Sequence, residues 1–592
     1  MKQFFKMMFA STLGVFIAFM LISVISFIVL AGVVITIGSA SNTNYIPKSN
    51  ENILRIKLEG PIDDSAEDNP FTVLLGNTQA LSLKDILSAI KNAKDMEVVK
   101  GIYLDLGLFS TGTANIDAMR RALIDFKESG KFIVSYADTY TQGGYYLASV
   151  ADSIYLNPQG MLTLTGFASQ TMFYKGLLQK AGVEMMVFKV GTYKGAVEPF
   201  IAEKLSNENR EQITSYQQSI WKNVTEGIAS SRNLSVDDVN HFADEGLFWA
   251  DPSVAIECRL IDGLKYRKEV EQLLMAQAEQ KADEQLKTLT VSKINRIKRV
   301  EREYLDKIAV VYAEGEITAA KIASPYNSGQ HTITENLSKE LRKLKGNEDV
   351  KAIVLRINSP GGSTYVSEQI WKEVYDLNEE KPVVVSMGSV AASGGYYIAS
   401  AATKIIAEAN TLTGSIGIFG MFPNVTGLFD KLALSTEVVK TNRYADFGDI
   451  SRPMSNEEKM LIQGYIERGY NTFLSRCAQG RNMSKEKIDS IGQGRVWTGD
   501  QAVKIGLADE LGGIDRAIAI AAQLADISNY TLLDVFGSKD FFLDFIQKQI
   551  DETKISITKE MMGDEFEYLK TLHQVKNMYG IQARIPYDLK PL

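Results

Sequence analysis

A long internal repeat limits the architecture of this 592-residue chain more than any other feature. The run Val-Lys-Gly-Ile-Tyr-Leu, which begins at Val99, returns as Val-Lys-Ala-Ile-Val-Leu at Val350, 251 positions later. The run Gly-Gly-Tyr-Tyr after Gln142 returns after Ser393 at the same spacing. A period this long indicates two homologous domains and not a solenoid of short units. Because each copy alternates strand and helix patterns, we predict a duplicated α/β fold.

The N-terminus predicts a membrane anchor. From Met7 to Ile37 the chain carries no charged residue, which exceeds the roughly 20 apolar residues that span a bilayer. Lys2 and Lys6 precede this stretch, and the positive-inside rule then places the N-terminus in the cytoplasm. We therefore expect a retained single-pass helix in the bacterial cytoplasmic (inner) membrane, with the rest of the chain on its periplasmic, extracytoplasmic side. Cleavage near residues 38–40, which would release the protein, is the alternative.

Charge and composition exclude several function classes. The formal net charge of −8 disfavours a nucleic-acid partner. Cys258 and Cys477 offer neither a disulfide framework nor a metal-binding pair. The histidines are His241, His331 and His573, and none lies near a Ser/Gly turn or in an HExxH pattern. Zinc-dependent hydrolysis therefore has weak support from the sequence, although it is not excluded. A Ser-His-Asp triad has no local support, although its members need not be close in sequence.

One serine occupies a position suited to a nucleophile. The apolar, β-branched run from Pro382 to Met387 predicts a buried strand, and a helix can begin near Tyr396. Ser393 would then lie at a strand-to-helix turn, exposed among residues too small to cover it. The N–H of Gly394, at the start of that helix, could bind a developing negative charge. The alternative is a small-residue turn that packs a helix closely on a sheet.

The two copies differ at the positions with chemical potential. Gln142 stands in the first copy where the second has Ser393. Conversely, Lys194 of the first copy corresponds to Arg443, which stays protonated and cannot act as a base. The second copy alone has a Ser-Pro-Gly-Gly turn, at Ser359, which can point backbone N–H groups at one spot. A single site formed by both copies explains this division; neutral drift explains it too.

To act as a base, Lys194 must be neutral near pH 7. Desolvation among apolar neighbours is the usual means, and Ala196, Val197 and Phe200 are available nearby. Glu198 would oppose this effect if it approached the amine. A solvated turn lysine is the alternative.

These motifs carry a family resemblance. With Ser393 in Ala-Ser-Gly-Gly-Tyr, Lys194 in Gly-Thr-Tyr-Lys, the Ser-Pro-Gly-Gly turn and the N-terminal anchor, the chain resembles the signal peptide peptidase A family in its long, duplicated bacterial form. The resemblance covers residues 45–540. It implies the ClpP/crotonase fold and a Ser/Lys-dyad serine protease that degrades leftover signal peptides in the membrane.

The resemblance also implies roles for individual residues. Ser393 would be the nucleophile, Lys194 the general base, and Ser415 the serine that helps to orient the lysine. The N–H groups of Gly361 and Gly394 would form the oxyanion hole, with Gly362 as competitor for the first. It further implies peptide substrates, no metal or cofactor, and a homotetramer that encloses a bowl.

The predicted organisation has five parts. They are a cytoplasmic tip and transmembrane anchor (1–45), a repeat carrying the lysine (46–264), a helical linker (265–304), a repeat carrying the serine (305–540) and a C-terminal tail (541–592). The tail could pack on a neighbouring subunit, cap the bowl or be disordered. Two other functions remain open at this point: a non-catalytic membrane scaffold of the same fold, and a crotonase-type acyl-transfer enzyme.

Overall fold

The computed structural model describes most of both repeats. The described ranges are 45–48, 50–65, 81–281, 285–297, 304–319, 332–535 and 580–584, with a few positions among the first 20 residues. No helix among the described residues has the length and apolar character needed to cross a membrane. The predicted anchor, residues 7–37, lies almost wholly outside the described ranges, as does most of the predicted tail.

The first repeat alternates strands and helices. Its strands are β1 (Ile53–Pro61), β2 (Gly101–Ser110), β3 (Phe132–Tyr140), β4 (Ser153–Leu162), β5 (Glu184–Val190) and β6 (Gly263–Leu264). Its helices are α1 (Leu83–Asp95), α2 (Thr113–Lys127), α3 (Gln142–Ala148), α4 (Lys175–Ala181), α5 (Glu198–Ile201), α6 (Asn207–Arg232), α7 (Val236–Asp244) and α8 (Val254–Glu257).

The segment between the repeats is only partly helical. It contains α9 (Arg267–Gln277), a short strand β7 (Leu289–Thr290) and α10 (Val291–Asn295). Strand β7 pairs in parallel with β1, so this segment returns to the sheet of the first repeat before the second repeat begins.

The second repeat follows the same alternation. Its strands are β8 (Lys307–Glu314), β9 (Glu316–Ile317), β10 (Thr332–Ile333), β11 (Val350–Ser359), β12 (Gly361–Ser363), β13 (Val383–Ala392), β14 (Lys404–Ala407), β15 (Leu412–Gly414), β16 (Ile418–Asn424), β17 (Val496–Thr498), β18 (Glu510–Leu511) and β19 (Thr531–Val535). Its helices are α11 (Asn336–Lys345), α12 (Thr364–Asn378), α13 (Gly394–Ala399), α14 (Thr426–Lys431), α15 (Asn456–Arg481), α16 (Lys485–Ile491), α17 (Gly499–Ile505) and α18 (Ile514–Leu524). One strand near the C-terminus, β20 (Gly580–Arg584), follows them.

Each repeat is built on a largely parallel sheet. The first sheet has the order β6-β4-β3-β2-β1-β7, and the second has the order β17-β15-β13-β11-β8-β19. The central strands β11 and β13 pair from Ile353 with Val383 to Ile357 with Met387. Their side chains are buried on both faces, which explains why both strands read as continuous apolar runs. The predicted duplicated α/β architecture is therefore confirmed.

A third sheet joins the two repeats. Its order is β10-β9-β12-β20-β16-β5, so strands of the second repeat meet β5 of the first. Strands β16 and β5 pair antiparallel over seven residue pairs, from Ile418 with Val190 to Asn424 with Glu184. This pairing places the loop after β5 beside the second repeat, where a residue from each copy can meet.

A buried ion pair also connects the repeats. The Arg356 guanidinium on β11 donates to Asp64 of the first repeat at 2.8 Å, and both side chains are 2% exposed. The same guanidinium donates to the Ser386 hydroxyl at 3.0 Å and to the Met387 carbonyl at 2.9 Å. Buried charges need such partners, because an unpaired one is costly to keep in a protein interior.

Candidate active site

The turn between β13 and α13 holds Ser393 in a strained conformation. Strand β13 ends at Ala392, helix α13 begins at Gly394, and Ser393 between them has φ 55° and ψ −113°. Such backbone angles are rare for a residue with a side chain and persist where surrounding contacts enforce them. Here the Ser393 N–H donates to the Gly414 carbonyl, and the Ser393 carbonyl accepts from the Tyr397 N–H, both at 2.8 Å.

The expectation that Ser393 is exposed was wrong. Its relative exposure is 0%. The residues next to Ser393 in sequence are small, as expected, but segments distant in sequence lie against it. Its hydroxyl meets Lys194 of the first repeat, and its backbone meets Gly414 at the end of β15.

Lys194 brings its amine to this serine from the other repeat. It lies in the loop after β5, and its Nζ is 2.8 Å from Ser393 Oγ. The same Nζ lies 3.0 Å from the Ser415 hydroxyl and 3.1 Å from the Ser415 carbonyl. Lys194 is 0% exposed, and this burial lowers its pKa well below the usual value near 10.5. The structure thus brings together the three side chains that the sequence singled out.

Glu198 does not oppose the low pKa of Lys194. Its carboxylate is buried but accepts hydrogen bonds from the Ser206 N–H at 3.2 Å, the Ser206 hydroxyl at 2.6 Å and the Asn209 amide at 2.9 Å. Burial is the cause of the lowered lysine pKa. The apolar residues Ala196, Val197 and Phe200 are buried together with Phe419 and Met421, beside the loop that carries the lysine.

Two glycine-bearing segments lie next to the serine. Gly394 is the first residue of α13, where the opening N–H groups have no acceptor within the helix. A Cβ placed on Gly394 would lie 3.2 Å from the Gly361 Cα, so the two candidate oxyanion-hole residues are neighbours. In this structure the Gly361 N–H donates to the Ser359 hydroxyl at 3.2 Å. Gly362 is packed against β9 instead, since a Cβ there would lie 2.0 Å from the Ile317 carbonyl oxygen.

The corresponding place in the first repeat is closed by Gln142. Its side-chain carbonyl accepts the N–H groups of Thr165 at 3.0 Å and Gly166 at 2.9 Å, and its amide donates to the Gly166 carbonyl at 3.2 Å. Arg443, which replaces the lysine in the second repeat, is exposed and forms an ion pair with Glu457 at 2.9 Å. Gln142 in the first repeat and Arg443 in the second therefore make structural contacts, and the described residues contain one site that combines Ser393 with Lys194.

A loop that sequence reasoning missed fixes the geometry of the site. The Tyr193 N–H donates to the Gln493 carbonyl at 2.8 Å, and the Ser415 N–H donates to the Arg495 carbonyl at 2.7 Å. Between them, Gly494 lies so close to the lysine that a Cβ would meet the Lys194 backbone N at 2.7 Å. The sequence signal was the Gly-Gln-Gly run at 492–494. Only the structure shows that Gly494 has φ +80° and lies against Lys194.

Comparison with known proteins identifies the chain. The model of peptidase family S49 matches residues 125–281 and 375–528, one stretch in each repeat, and the Clp protease model matches residues 312–413. Protease 4 of Salmonella typhi is 37% identical over 88% of this chain and 85% of its own length. The chloroplastic serine protease SPPA of Arabidopsis thaliana is 31% identical over 90% and 77%. A shorter relative from Enterococcus faecium, named as a signal peptide peptidase SppA, is 32% identical over 34% and 58%.

Fold and relatives together define a serine protease built on a duplicated ClpP-like α/β domain. The chain belongs to peptidase family S49.

Proposed function

We propose that this protein is a membrane-anchored endopeptidase whose Ser393/Lys194 dyad degrades cleaved signal peptides and similar hydrophobic peptides at the outer face of the cytoplasmic membrane. One observation carries the chemical part of the proposal. The Nζ of a fully buried lysine lies 2.8 Å from the hydroxyl of a serine held at a strained strand-to-helix turn. A nucleophile within hydrogen-bond reach of a base is the arrangement that covalent acyl transfer needs.

The contacts of Lys194 fit a neutral amine. A neutral amine has two N–H bonds and one lone pair. When the two hydrogens are donated to the hydroxyl and the carbonyl of Ser415, the lone pair is free to accept the Ser393 hydroxyl proton across the 2.8 Å contact. Ser415 is thus a positioning residue, since it fixes which side of the nitrogen faces the nucleophile. The lowered pKa of Lys194 supplies the neutral form.

The reaction then follows in two stages. Lys194 takes the hydroxyl proton of Ser393 as Oγ attacks the peptide carbonyl, and the tetrahedral oxyanion is held by backbone N–H groups. The protonated lysine next gives its proton to the leaving amine, and water hydrolyses the acyl-enzyme. Gly394 supplies one N–H, and Gly361 supplies the second after exchanging its bond to Ser359 for the oxyanion. Each such donor contributes about 3–4 kcal/mol.

The substrate and the location follow from other features. Signal-peptide cores are short and apolar, and a tethered protease meets them where signal peptidase leaves them. The uncharged stretch from Met7 to Ile37 supports the tether. The Enterococcus faecium relative is named as a signal peptide peptidase, which supports the substrate class.

The proposed homotetramer has support from the repeat. Within one chain β16 of the second repeat pairs with β5 of the first. The segments that correspond to them in the opposite repeats, residues 167–173 and 433–439, belong to no sheet in the described part of the chain. Residues 433–439 are all exposed, Val439 to 95%. Pairing of these two segments between copies would repeat the internal contact and close a ring.

The proposed homotetramer can be tested independently of catalytic activity. Light scattering after size exclusion should give a tetramer for the wild type and smaller species for Val439→Asp, because a carboxylate would be buried in the new sheet. A wild-type monomer at micromolar concentration would refute the ring.

Family membership favours a protease over a scaffold or an acyl-CoA enzyme. One experiment tests whether the protein is a Ser/Lys protease. The full-length protein in detergent is given a Leu/Ala-rich signal peptide, beside Ser393→Ala, Lys194→Ala and an equimolar mixture of the two. We expect each variant to lose at least about 1,000-fold in kcat. Lys504→Ala, which removes an exposed lysine on α17, is the matched control. Rescue in the mixture would show that the two residues come from different subunits.

A wild type that is inert on every peptide, and whose Ser393 does not react with a fluorophosphonate, would refute the proposal. Full activity of Lys194→Ala would refute the base assignment alone.

A further inference from the structure

The side chain of Arg495 contacts the residue next to the proposed base. Arg495 lies in the loop before β17, and its guanidinium carbon lies over two aromatic rings, 4.8 Å from the ring centre of Tyr193 and 4.4 Å from that of Trp497. Its Nη1 donates to the Tyr193 hydroxyl at 3.1 Å, and its Nη2 lies 3.0 Å from the Glu211 carboxylate on α6. Tyr193 and Glu211 belong to the first repeat, so the guanidinium joins the two repeats beside Lys194.

The main chain of Arg495 holds the residue that orients the lysine. Its carbonyl accepts the Ser415 N–H at 2.7 Å, and Ser415 in turn contacts the Lys194 amine through its hydroxyl and its carbonyl. One residue is thus bonded both to Tyr193, the neighbour of the lysine, and to Ser415. Loss of the Arg495 side chain would remove the contact with Tyr193 and keep the bond from Ser415, so the lysine would be free to move relative to its partners.

Each residue of this contact is present in only one repeat. The run Gly-Leu-Phe-Trp of the first repeat corresponds to Gly-Arg-Val-Trp of the second, and Leu247 therefore stands in the place of Arg495. The tryptophan of the first run, Trp249, is 80% exposed, without an arginine over it. Conversely, Asn442 of the second repeat stands in the place of Tyr193. The contact is divided between the repeats in the same way as the lysine and the serine are.

We propose that Arg495 is a positioning residue, which holds the loop of Lys194 so that its amine stays within reach of Ser393. The inference rests on the proposed function for the role of the lysine. Arg495 acts through Tyr193 and does not touch the reacting atoms. Loss of its side chain should therefore lower kcat and leave KM nearly unchanged.

The kinetic test compares Arg495→Ala and Arg495→Lys with the wild type on a Leu/Ala-rich signal peptide. A shift of about 1 Å in a catalytic group can cost about 100-fold in rate, and we expect Arg495→Ala to lose kcat by that factor. Arg495→Lys keeps the charge but not the planar fork of donors, and it should recover only part of the loss. Equal kcat in Arg495→Ala and the wild type would overturn the proposal.

The pH profile gives a readout that a general loss of structure would not move. When water reaches the amine of Lys194, the pKa of the amine returns toward its ordinary value. Only the neutral amine can accept the serine proton, so the acid limb of kcat/KM should move to higher pH in Arg495→Ala. A lower kcat with an unmoved acid limb would overturn the proposal.

A cleft beside Arg495 permits chemical rescue. It has a volume of about 780 Å³, opens to solvent between α6 and α17, and is lined by Arg495 together with Gln218 and Lys504. Arg495→Ala leaves a space at this cleft that a free guanidinium ion can enter. Millimolar guanidinium should raise the kcat of Arg495→Ala several-fold and leave the wild type unchanged, whereas ammonium, which lacks the planar fork, should have no such effect. Equal effects of the two ions would overturn the proposal.

Arg267→Ala is the matched control. Arg267 on α9 also lies over a tyrosine ring, that of Tyr136 at 4.9 Å, and also forms an ion pair with a carboxylate, that of Asp105. It should lose stability in thermal unfolding much as Arg495→Ala does, and it should keep the wild-type kcat. The same loss of kcat in both variants would show a general structural effect and would overturn the proposal.

Amine labelling separates this inference from the proposed function. Lys194 is fully buried, so acetic anhydride should not modify it in the full-length wild type, as read by peptide mass spectrometry. In Arg495→Ala the released loop should make Lys194 reactive, while the exposed Lys504 is modified equally in both proteins. A wild type that cuts no peptide would refute the protease, yet modification of Lys194 confined to Arg495→Ala would still show that Arg495 holds the lysine. The same extent of Lys194 modification in both proteins would overturn the inference, even if the enzyme proved active.

Discussion

The side chain of Lys194 reaches both polar groups of a single residue, the hydroxyl of Ser415 at 3.0 Å and its carbonyl at 3.1 Å. Ser415 itself has φ 51° and is held by the bond from its N–H to the Arg495 carbonyl. Removing the hydroxyl leaves the carbonyl as the remaining Ser415 acceptor for the lysine, so the amine can rotate away from Ser393. We expect Ser415→Ala to lower kcat about 10–100-fold, with KM nearly unchanged, because orientation of a base contributes mainly in the transition state.

The matched control for Ser415→Ala is Ser400→Ala. Ser400 is equally buried, and its hydroxyl donates to the Tyr397 carbonyl at the other end of α13. A kcat loss of the same size in both variants would show that the effect is structural and not specific to the lysine.

Gly494 is expected to be intolerant of a side chain. A Cβ at this position would lie 2.7 Å from the backbone N of Lys194 and 2.8 Å from its Cβ, closer than atoms approach in proteins. The lysine must then shift, and a displacement of 1 Å in a catalytic group can cost about 100-fold in rate. We expect Gly494→Ala to lose kcat by about that factor while it stays folded by circular dichroism.

The control variant Gly246→Ala separates the strain of a positive φ from the close approach to Lys194. Gly246 also has positive φ, at 68°, but its nearest neighbour lies 3.8 Å from the would-be Cβ, on Phe248. Gly246→Ala should carry the same left-handed backbone strain as Gly494→Ala but keep nearly full activity. Near wild-type kcat in Gly494→Ala would mean that Lys194 tolerates displacement, contrary to the geometry.

The low pKa of Lys194 predicts a one-sided pH profile. The protonated lysine has no lone pair for the serine proton, so activity is lost in acid and rises as the pH passes through the lowered pKa. We expect kcat/KM for peptide hydrolysis to rise along a single limb and to be near its maximum well below pH 10.5. A midpoint near 10.5 would show that the lysine keeps its ordinary pKa.

The same lysine should make stability depend on pH. Between its lowered pKa in the folded state and 10.5 in the unfolded chain, the unfolded chain binds one more proton, so folded-state stability rises with pH. Relative to Lys194→Met, the free energy of unfolding of the wild type should increase by about 1.4 kcal/mol per pH unit in that window. Below the lowered pKa both states carry the proton and the slope disappears. Urea denaturation of both proteins at several pH values measures the difference, and a constant difference would contradict the expectation.

The Arg356–Asp64 pair is expected to hold the repeats together. Arg356→Met leaves the Asp64 carboxylate buried without its partner, which typically costs about 3–5 kcal/mol. Removing both charges in Arg356→Met/Asp64→Asn should cost clearly less than the sum of the single changes. Thermal unfolding of the three variants measures this coupling. Lys504→Met breaks an exposed pair with Asp500 and should change stability by less than about 1 kcal/mol. Additive effects at Arg356 and Asp64 would refute the coupling.

Local signals in the sequence were sufficient to predict the repeat and to single out Ser393 and Lys194, which the structure brings together. The apolar run before Ser393 and the small residues after it predicted the strand-to-helix turn that the structure contains. The contrast between Lys194 and Arg443 indicated which half could hold a base. The distance between Nζ and Oγ could not be predicted, because it depends on the pairing of β5 with β16 across the two repeats.

The features of the site that could not be predicted depend on contacts between segments that are distant in sequence. The segment from Gln493 to Arg495 touches Lys194 and Ser415, yet nothing in its composition points to them. The burial of Ser393 has the same origin, since its immediate neighbours are small and the residues that cover it come from elsewhere. Strand β20 lies in a region whose sequence gave no preferred structure, and only its backbone partners define its place.

The pairing of β5 with β16 also determines when, during synthesis and folding, Lys194 and Ser393 can meet. Lys194 emerges from the ribosome 199 residues before Ser393, and the strands that bring them together are 228 positions apart where Val190 faces Ile418. Contacts between such distant segments form late in folding, since the loop between them must close first. A nascent or half-folded molecule therefore holds Lys194 without Ser393 beside it, and on the function proposed above it cannot cut peptides, its own unfolded segments included. On the same proposal, the catalytic pair is complete only when the second half docks on the first, so completion of the fold is itself the activation event.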